Sequence, residues 1–212
     1  MRILTVVAAA AGLLTPVLTP TPVPVAHADG CPDIEVVFAR GTTEPVGIGR
    51  VGTAFVNDLR DRVGGRTVGT YAVNYPATFD FRAAADGAND ASAHIQQMMA
   101  DCPNTRLVLG GFSQGAAVID VISELPVPGA GFTVPLPADA PDHVAAIALF
   151  SNPSAKAGLP LTMSPTWGNR SIDLCLPDDA ICDTLGTNVA VHSTYPESGQ
   201  TTMAADFVAA RV

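Results

Sequence analysis

The stretch that decides the fold is residues 106–122, which read R-L-V-L-G-G-F-S-Q-G-A-A-V-I-D-V-I. It opens with a short apolar run of the kind buried in a parallel sheet, and it closes with apolar residues at helical spacing. Between the two lies a G-x-S-x-G turn at residues 111–115. This turn is so tight that a Cβ at Gly111 or Gly115 would collide with neighbouring backbone, and it pushes the Ser113 hydroxyl out at the carboxyl edge of the sheet. The pattern predicts a nucleophilic serine; the alternative is a serine that only caps the helix.

Strand-like and helical segments alternate along the rest of the chain. Strands are predicted at 34–39, 67–74, 107–109, 144–150 and 172–174, and helices at 53–63, 81–99, 202–210 and in the second half of the 106–122 stretch. Such alternation with short crossovers predicts an α/β fold, a three-layer α/β/α sandwich around a central, mostly parallel sheet of about five strands. Sites in open sheets of this type form at the carboxyl edge, where Ser113 is expected.

Two long connections lack periodicity. Residues 126–142, rich in Pro, Gly and Ala, should begin at the sheet edge opposite Ser113, and we interpret them as a surface excursion and not a lid. Residues 151–169 leave the carboxyl edge. Their apolar side chains either line a substrate cleft or pack beneath the loop, and the sequence favours neither: Leu159, Leu161, Met163 and Trp167.

The N-terminus has the pattern of an export signal. A charged Met1-Arg2 start precedes the apolar run 3–14, and Ala26-His27-Ala28 is a cleavage sequence. The run is shorter than the ~20 residues that span a membrane, which argues against a retained anchor. We therefore predict a signal peptide at 1–28, a single domain at 29–212, and a secreted protein, either free or associated with the cell surface.

Net charge and hydrophobic content limit the classes of molecule that the protein is expected to bind. The formal net charge is −9, with 15% charged and 48% hydrophobic residues. A surface this acidic repels nucleic acid and anionic lipid headgroups, so neither is an expected partner, and no stable membrane insertion is expected. The hydrophobic content is typical of a compact protein and not of a disordered one. We expect a monomer that takes a small-molecule or lipid substrate.

The four cysteines, Cys31, Cys102, Cys175 and Cys182, all follow the predicted signal. An even count in an exported chain favours two disulfides over a metal site. Cys175 and Cys182 are the pair close enough to close a small loop, so we predict the pairs Cys31–Cys102 and Cys175–Cys182. A zinc site is the alternative, but no C-x-x-C or H-x-x-x-H spacing supports it. No metal and no cofactor are expected.

A serine nucleophile needs a base, which is usually histidine. Of the four histidines, His27 leaves with the signal, His94 is expected to be solvated within a helix, and His143 begins a strand at the far edge. His192 remains, in the loop V-A-V-H-S on the carboxyl side, and the order Ser…Asp…His supports it as the base.

A carboxylate must hold the base in one tautomer. Asp120 is expected to point away from the site on the helix after the turn, Asp139 and Asp142 to lie at the far edge, and Asp173 to lie within a strand. The remaining candidates, Asp178, Asp179 and Asp183, cluster at the predicted small disulfide loop. From the residues alone, Asp178 and Asp179 are not separable.

Donors to the oxyanion of a tetrahedral intermediate complete the chemistry. The turn itself supplies the backbone N–H of Gln114, the residue after the nucleophile. The second donor is expected from the loop after the first strand, Gly41-Thr42-Thr43, where Thr42 offers an N–H and a hydroxyl. An ordinary turn stabilised by Thr would look the same in sequence.

With these residues in view, the chain resembles the cutinase family of serine esterases. Four stretches match in order and spacing along residues 29–212: Ala39-Arg40-Gly41-Thr42-Thr43-Glu44, Gly111-Phe112-Ser113-Gln114-Gly115, Cys175…Asp179…Cys182, and His192. Residues 126–142 and the S-N-P after the fourth strand look most like actinobacterial cutinase-like proteins.

The resemblance implies an α/β-hydrolase core without a large lid, both disulfides, no metal, and Asp179 over Asp178 as the triad acid. It also implies an oxyanion hole at Thr42, where many cutinases have serine, and Gln114. Short to medium acyl esters or lipids are the expected substrates.

The leading hypothesis is a secreted serine esterase in which Ser113 attacks an ester carbonyl, His192 moves the proton and Asp179 orients His192. Val189 and Val191 are either an acyl-binding wall or loop packing. One rival is polysaccharide deacetylation of the acetylxylan esterase type. Another is a secreted surface protein that has lost catalysis, against which the complete set of residues argues.

Overall fold

A computed structural model describes residues 30–212, and the predicted signal peptide lies outside the described residues. The strands and helices follow in chain order. They are β1 Ile34–Ala39, α1 Gly49–Arg60, β2 Val68–Ala72, α2 Ala84–Asp101, β3 Arg106–Phe112, α3 Gln114–Glu124, α4 Ala140–His143, β4 Val144–Phe150, α5 Pro153–Lys156, β5 Ser171–Leu174 and α6 Gln200–Ala209. Single 3₁₀ turns lie at Phe81–Ala83, Leu161–Met163, Gly168–Arg170, Val191–Ser193 and Tyr195–Glu197.

The five strands form one sheet in the order β2-β1-β3-β4-β5, and every adjacent pair is parallel. The predicted fold class is confirmed. Because all strands run the same way, the loops that follow β1, β3, β4 and β5 leave at one edge of the sheet, where sites form in this class of fold.

Side chains that alternate along the strands feed two separate cores. Val37 and Leu109 face the core shared with α2 and α3, whereas Val36 and Val108 face the core shared with α1 and α6. This is the period of two expected for strands buried on both faces. Helix α2 buries a stripe of small and apolar residues against the sheet, from Ala84 to Met98.

Helix α1 begins earlier than its apolar pattern indicates, at Gly49 instead of residue 53, and it ends at Arg60. The reason is that Glu44, in the loop before the helix, caps its N-terminus. The Glu44 carboxylate accepts a hydrogen bond from the backbone N–H of Arg50 at 2.8 Å, which satisfies a donor that the helix itself leaves free. A carboxylate at this end also complements the helix dipole.

The 126–142 connection runs over the surface, as predicted, with residues 124–131 exposed. It is fixed to α2 at two points. Phe132 is buried, and the Asn89 side chain donates to the carbonyl of Gly131 and accepts from the N–H groups of Thr133 and Val134.

The turn between β3 and α3 is as tight as the sequence requires. A Cβ at Gly111 would lie 2.3 Å from the carbonyl oxygen of Gly115, and one at Gly115 would lie 1.9 Å from that of Ala39. Neither oxygen can retreat without moving the backbone of α3 or β1, so both positions need glycine.

We therefore expect Gly115→Ala to lower the free energy of unfolding by more than about 3 kcal/mol, because no side-chain movement relieves a backbone clash. The matched control is Gly129→Ala, where an added Cβ meets no atom within 4 Å. Chemical denaturation of both variants measures the difference. Equal stabilities would contradict this account of the turn.

Candidate active site

Ser113 occupies the turn between β3 and α3 with φ 56° and ψ −118°, a conformation that non-glycine residues seldom adopt. Its N–H donates to the carbonyl of Phe150 at 2.9 Å, which ties the turn to β4. No hydrogen bond to α3 occupies the hydroxyl, so the alternative in which Ser113 merely caps the helix is not what the structure shows.

The Ser113 hydroxyl instead meets His192. The distance from Ser113 Oγ to His192 Nε2 is 3.0 Å, although the two residues are 79 positions apart in sequence. His192 lies on the 3₁₀ turn Val191–Ser193, and its ring stacks on Phe112 with centroids 4.7 Å apart. This stacking fixes the plane of the imidazole over the nucleophile turn.

Asp179 lies on the other side of the same ring. His192 Nδ1 is 3.1 Å from Oδ1 and 3.2 Å from Oδ2 of the carboxylate. Because a carboxylate only accepts, Nδ1 must carry the proton, which leaves Nε2 free to accept from the Ser113 hydroxyl. The arrangement has the geometry needed to deprotonate Ser113.

The structure separates the two aspartates that the residues alone did not. Asp179 is fully buried and contacts His192, whereas Asp178 is exposed, has φ 67° and accepts from the N–H of Thr187 at 3.0 Å. Asp178 thus bonds within its own loop, and Asp179 is the aspartate that faces the ring.

Both predicted disulfides are present, Cys31–Cys102 and Cys175–Cys182. The second encloses Asp179 in a short covalent loop. Lys156 on α5 supports this loop from outside, because its ammonium donates to the carbonyls of Ala180 at 2.6 Å and Gly186 at 3.0 Å. The carboxylate is therefore held on a rigid segment.

Asp179 is kept ionised by its donors. Its burial opposes ionisation, but hydrogen bonds from His192, Ser151, the N–H of Ile181 and Tyr195 outweigh that effect and lower the pKa to about 2. These hydrogen bonds therefore stabilise the fold above the ordinary aspartate pKa of 3.8, and the contribution is lost as the pH falls towards 2.

Two of those donors were missed from the sequence. Ser151 Oγ lies 2.7 Å from Asp179 Oδ2 and 2.9 Å from His192 Nδ1, and the Tyr195 hydroxyl lies 2.7 Å from Asp179 Oδ2. The available signal was position: Ser151 is the residue directly after β4, the strand beside the one that carries the nucleophile.

The two residues predicted to form an oxyanion hole lie together. Thr42 Oγ1 is 3.4 Å from Gln114 Oε1, and the Gln114 amide donates to the carbonyl of Thr78 at 2.8 Å. The loops after β1 and β2 and the start of α3 therefore meet beside Ser113. Their role as donors stays a prediction.

A buried arginine holds the Thr42 loop in place. Arg40 donates to the carbonyl of Tyr75 at 2.7 Å, and its guanidinium lies 5.1 Å from the centre of the Tyr75 ring. Glu44 accepts from the N–H of Gly41 at 2.7 Å as well as from α1. The loop is thus fixed to β2 and α1 at once.

The prediction that His94 is solvated was wrong. The His94 side chain is 18% exposed, its Nε2 is 2.5 Å from Glu35 Oε1, and its ring stacks on Tyr71 with centroids 3.5 Å apart. Glu35 and Tyr71 lie on β1 and β2, so the contact depends on where α2 crosses the sheet. His94 is remote from Ser113 in this arrangement and does not compete with His192 as the base.

The four apolar side chains of residues 151–169 divide into a buried pair and an exposed pair. Leu161 and Trp167 are buried in the core under α2 and α3, whereas Leu159 and Met163 are exposed. The exposed pair lines a groove of about 510 Å³ against α3. Neither Ser113 nor His192 is part of that lining, so the loop packs the core and borders a separate groove.

Asp120 belongs to the lining of that groove, which does not include Ser113, and its carboxylate oxygens are buried. Neither carboxylate oxygen has a hydrogen-bond partner among residues 30–212. Burial raises the pKa to about 6; the nearby Ser154 and Asn152 side chains, outside hydrogen-bond geometry, only partly offset it, and Asp173 adds repulsion.

We expect Asp120→Asn to stabilise the protein in a pH-dependent way. The folded-state pKa of about 6 lies above the ordinary 3.8, so ionisation of Asp120 costs stability as the pH rises through 6. The variant should gain up to about 3 kcal/mol in free energy of unfolding at pH 8 and nothing below pH 4. Urea denaturation at both pH values measures this. The same gain at both values would contradict the assignment.

Within residues 30–212, no group of three or more His, Cys, Asp or Glu side chains is placed to hold a metal ion. The described part of the chain also contains no helix long and apolar enough to cross a membrane.

Comparison with known proteins places the chain in a family. The sequence model of the cutinase family matches residues 30–212. The chain is 57% identical over 212 residues to phospholipase Culp4 of Mycobacterium tuberculosis strain H37Rv, covering 100% of this chain and 92% of that protein. It is 51% identical over 196 residues to carboxylesterase Culp1 of the same strain, covering 88% and 85%.

A solved structure has the same architecture. The catalytic core domain of acetyl xylan esterase from Trichoderma reesei superposes with a TM-score of 0.72 at 27% identity, covering 86% of this chain and 100% of that one. The matched fold, the extent of the family match and the identity to the two mycobacterial proteins agree. The chain therefore belongs to the cutinase family of ester hydrolases.

Proposed function

We propose that the protein is a serine esterase in which Ser113 is the nucleophile, His192 the general base and Asp179 the residue that orients His192. The observation that carries the proposal is the continuous contact from Ser113 Oγ to His192 Nε2 at 3.0 Å and from Nδ1 to Asp179 at 3.1 Å. Nucleophile, base and orienting carboxylate within hydrogen-bond reach are the requirement for this chemistry.

The reaction runs in two halves. His192 Nε2 takes the hydroxyl proton as Ser113 Oγ bonds to the ester carbonyl carbon, and the carbonyl oxygen becomes an oxyanion. Collapse breaks the bond to the alcohol, which leaves with the proton from His192. Water, deprotonated by His192, then attacks the acyl-enzyme and releases the acid with Ser113 regenerated.

The proposed donors to the oxyanion are the N–H of Gln114, set by the turn, and the N–H or hydroxyl of Thr42. Their support is the contact between the two side chains at 3.4 Å, which keeps the loop after β1 against the start of α3. Such donors each contribute on the order of 3 kcal/mol to lowering the barrier.

The proposed substrates are carboxylic esters with short to medium acyl chains, as free esters, lipids or polyesters. Large apolar side chains stand exposed on the loops that follow β1, β2 and β5 at the carboxyl edge: Val46, Phe79, Leu185 and Val189. Exposed apolar side chains around a site favour acyl chains over a polar carbohydrate. The phospholipase Culp4 relative agrees with a lipid ester, and the acetyl xylan esterase neighbour keeps deacetylation as the second candidate.

Activity on a panel of esters decides between hydrolysis of acyl esters and deacetylation of a polysaccharide. kcat/KM is measured for p-nitrophenyl acetate, butyrate, octanoate and palmitate, and acetate release is measured from acetylated xylan. The proposal expects kcat/KM to rise from acetate to an intermediate chain and little acetate release from xylan. The reverse pattern would support the deacetylase, and no turnover of any ester would support the surface protein without catalysis.

We also propose that residues 1–28 are an export signal and that residues 29–212 form a single domain that acts as a secreted monomer. The two disulfides support export, because such bonds persist in oxidising compartments. N-terminal sequencing of protein from the culture medium tests the cleavage after Ala28, and gel filtration tests the monomer.

A further inference from the structure

The Ser151 hydroxyl contacts both the proposed base, His192, and its carboxylate, Asp179, although no step of the proposed reaction uses it. Its Oγ is 2.9 Å from His192 Nδ1, nearer than either carboxylate oxygen, and 2.7 Å from Asp179 Oδ2. The side chain is fully buried, so water does not compete for the hydroxyl.

The backbone of Ser151 adopts a strained conformation that positions this hydroxyl. Ser151 has φ 52°, a region that L residues other than Asn and Asp seldom adopt. Its N–H donates to the carbonyl of Leu174 at 2.8 Å, and the next residue, Asn152, is anchored by its amide to Asp173 at 2.8 Å. A strained residue fixed on both sides next to reacting groups is typical of functional positions.

The hydrogen positions follow from the acceptors. Oδ2 of Asp179 can only accept, so the Ser151 hydroxyl hydrogen points at it. The Ser151 oxygen then turns a lone pair to the Nδ1–H of His192, which is shared between the hydroxyl and the carboxylate. The hydroxyl thus forms a bridge from the ring to the carboxylate, parallel to their direct contact.

We propose that Ser151 is a positioning residue of this esterase: its hydroxyl bridges His192 Nδ1 and Asp179 Oδ2, fixes the plane of the imidazole, and reduces the negative charge that the carboxylate presents to the ring. The inference rests on the proposed function for its catalytic meaning. The hydrogen-bonded bridge itself does not depend on whether the protein hydrolyses esters.

Other charged groups near the ring do not duplicate this effect. Asp179 is the one carboxylate within hydrogen-bonding distance of the ring among the described residues, and the Tyr195 hydroxyl donates to the same Oδ2. Charged side chains on adjacent elements bond elsewhere, to each other or to backbone: Arg50 with Glu197 and the carbonyl of Ser193, Lys156 with the carbonyls of Ala180 and Gly186, and Asp183 with the N–H of Asp178.

The test uses two variants that both remove the hydroxyl, Ser151→Ala and Ser151→Gly. They differ in backbone, since glycine adopts φ 52° without strain and alanine does not. Without the bridging donor, Asp179 presents more negative charge to the ring and favours its protonated form. We expect the acid limb of the kcat/KM profile to move up by about half a pH unit. kcat should fall on the order of tenfold, with KM unchanged within about twofold.

A second readout needs no turnover. The titration of the His192 ring is followed by NMR in wild type and both variants, with the resonance assigned by its loss in His192→Ala. Its midpoint should rise equally in the alanine and glycine variants. Should wild type hydrolyse no ester while this midpoint still moves, the proposed function fails and the bridge stands.

The control is Ser171→Ala, which removes another buried hydroxyl that bonds only the carbonyl of Trp167, at 2.8 Å. It should change stability and leave both the pH profile and the His192 midpoint at their wild-type values. The proposal is overturned if both Ser151 variants keep the wild-type midpoint and acid limb, whatever happens to their stability or kcat.

Discussion

Replacement of Ser113 by alanine is expected to lower kcat for a p-nitrophenyl ester by about 10⁵- to 10⁶-fold, the range for removal of a nucleophile from a triad that acts as a unit. The residual rate comes from binding and the oxyanion donors, which do not depend on the hydroxyl. The fold should be intact, because the Ser113 side chain makes no structural hydrogen bond except to His192.

The matched control lies near the far end of the helix that follows Ser113. Ser123 on α3 has a buried hydroxyl without a hydrogen-bond partner among the described residues, so Ser123→Ala removes an equivalent atom far from the reaction. It should retain wild-type kcat/KM and lose no stability. Steady-state kinetics on both variants, checked by circular dichroism, make the comparison. Hydrolysis at even a tenth of the wild-type rate in Ser113→Ala would contradict the assigned nucleophile.

Asp179→Asn is expected to lower kcat by about 10⁴-fold. The cause is the tautomer of His192 and the donors around the carboxylate. The Ile181 N–H faces Oδ1, and the Ser151 and Tyr195 hydroxyls face Oδ2. An asparagine amide group placed on either side therefore opposes a donor, and Nδ1 loses its strongest acceptor.

Asp178→Asn is the control for this variant. Its carboxylate accepts from the Thr187 N–H on the outside of the loop and does not reach the ring, so kcat/KM should stay within about threefold of wild type. The pair is measured with one substrate at one pH. Comparable losses in the two variants would show that the loop and not the Asp179 carboxylate is what the reaction needs.

The turn that carries Ser113 could be predicted because a local requirement dictates it. Gly111 and Gly115 sit where any Cβ meets backbone within 2.3 Å, and that requirement can be read directly from a G-x-S-x-G between a strand and a helix. The same holds for the all-parallel sheet, whose strands are apolar runs, and for the pairing of Cys175 with Cys182, which are seven positions apart.

The features that could not be predicted depend on contacts between distant segments. His94 is largely shielded from solvent because Glu35 and Tyr71 lie on strands that α2 crosses, 59 and 23 positions away. Helix α1 begins at Gly49 because Glu44 reaches back over the loop to cap it. Neither contact leaves a periodic pattern in the sequence.

Local backbone conformation explains the remaining features that could not be predicted from the sequence. Asp178 and Asp179 are adjacent carboxylates, and the conformation of their loop decides which one faces the base. Ser151 resembles any serine at a strand end until its φ of 52° and its distances to His192 and Asp179 are known. The cutinase resemblance implies Asp179 as the triad acid, but it includes Ser151 only as part of the S-N-P after the fourth strand and gives it no role.

In the proposed mechanism, His192 makes the Ser113 hydroxyl nucleophilic across 3.0 Å. The most direct test of this mechanism is reaction of the folded protein with a p-nitrophenyl alkylphosphonate, followed by peptide mass spectrometry. We expect one adduct per chain, on Ser113, formed rapidly in wild type and at least about 10³-fold more slowly in His192→Ala. An adduct on another residue, or labelling of Ser113 at the same rate without His192, would contradict it.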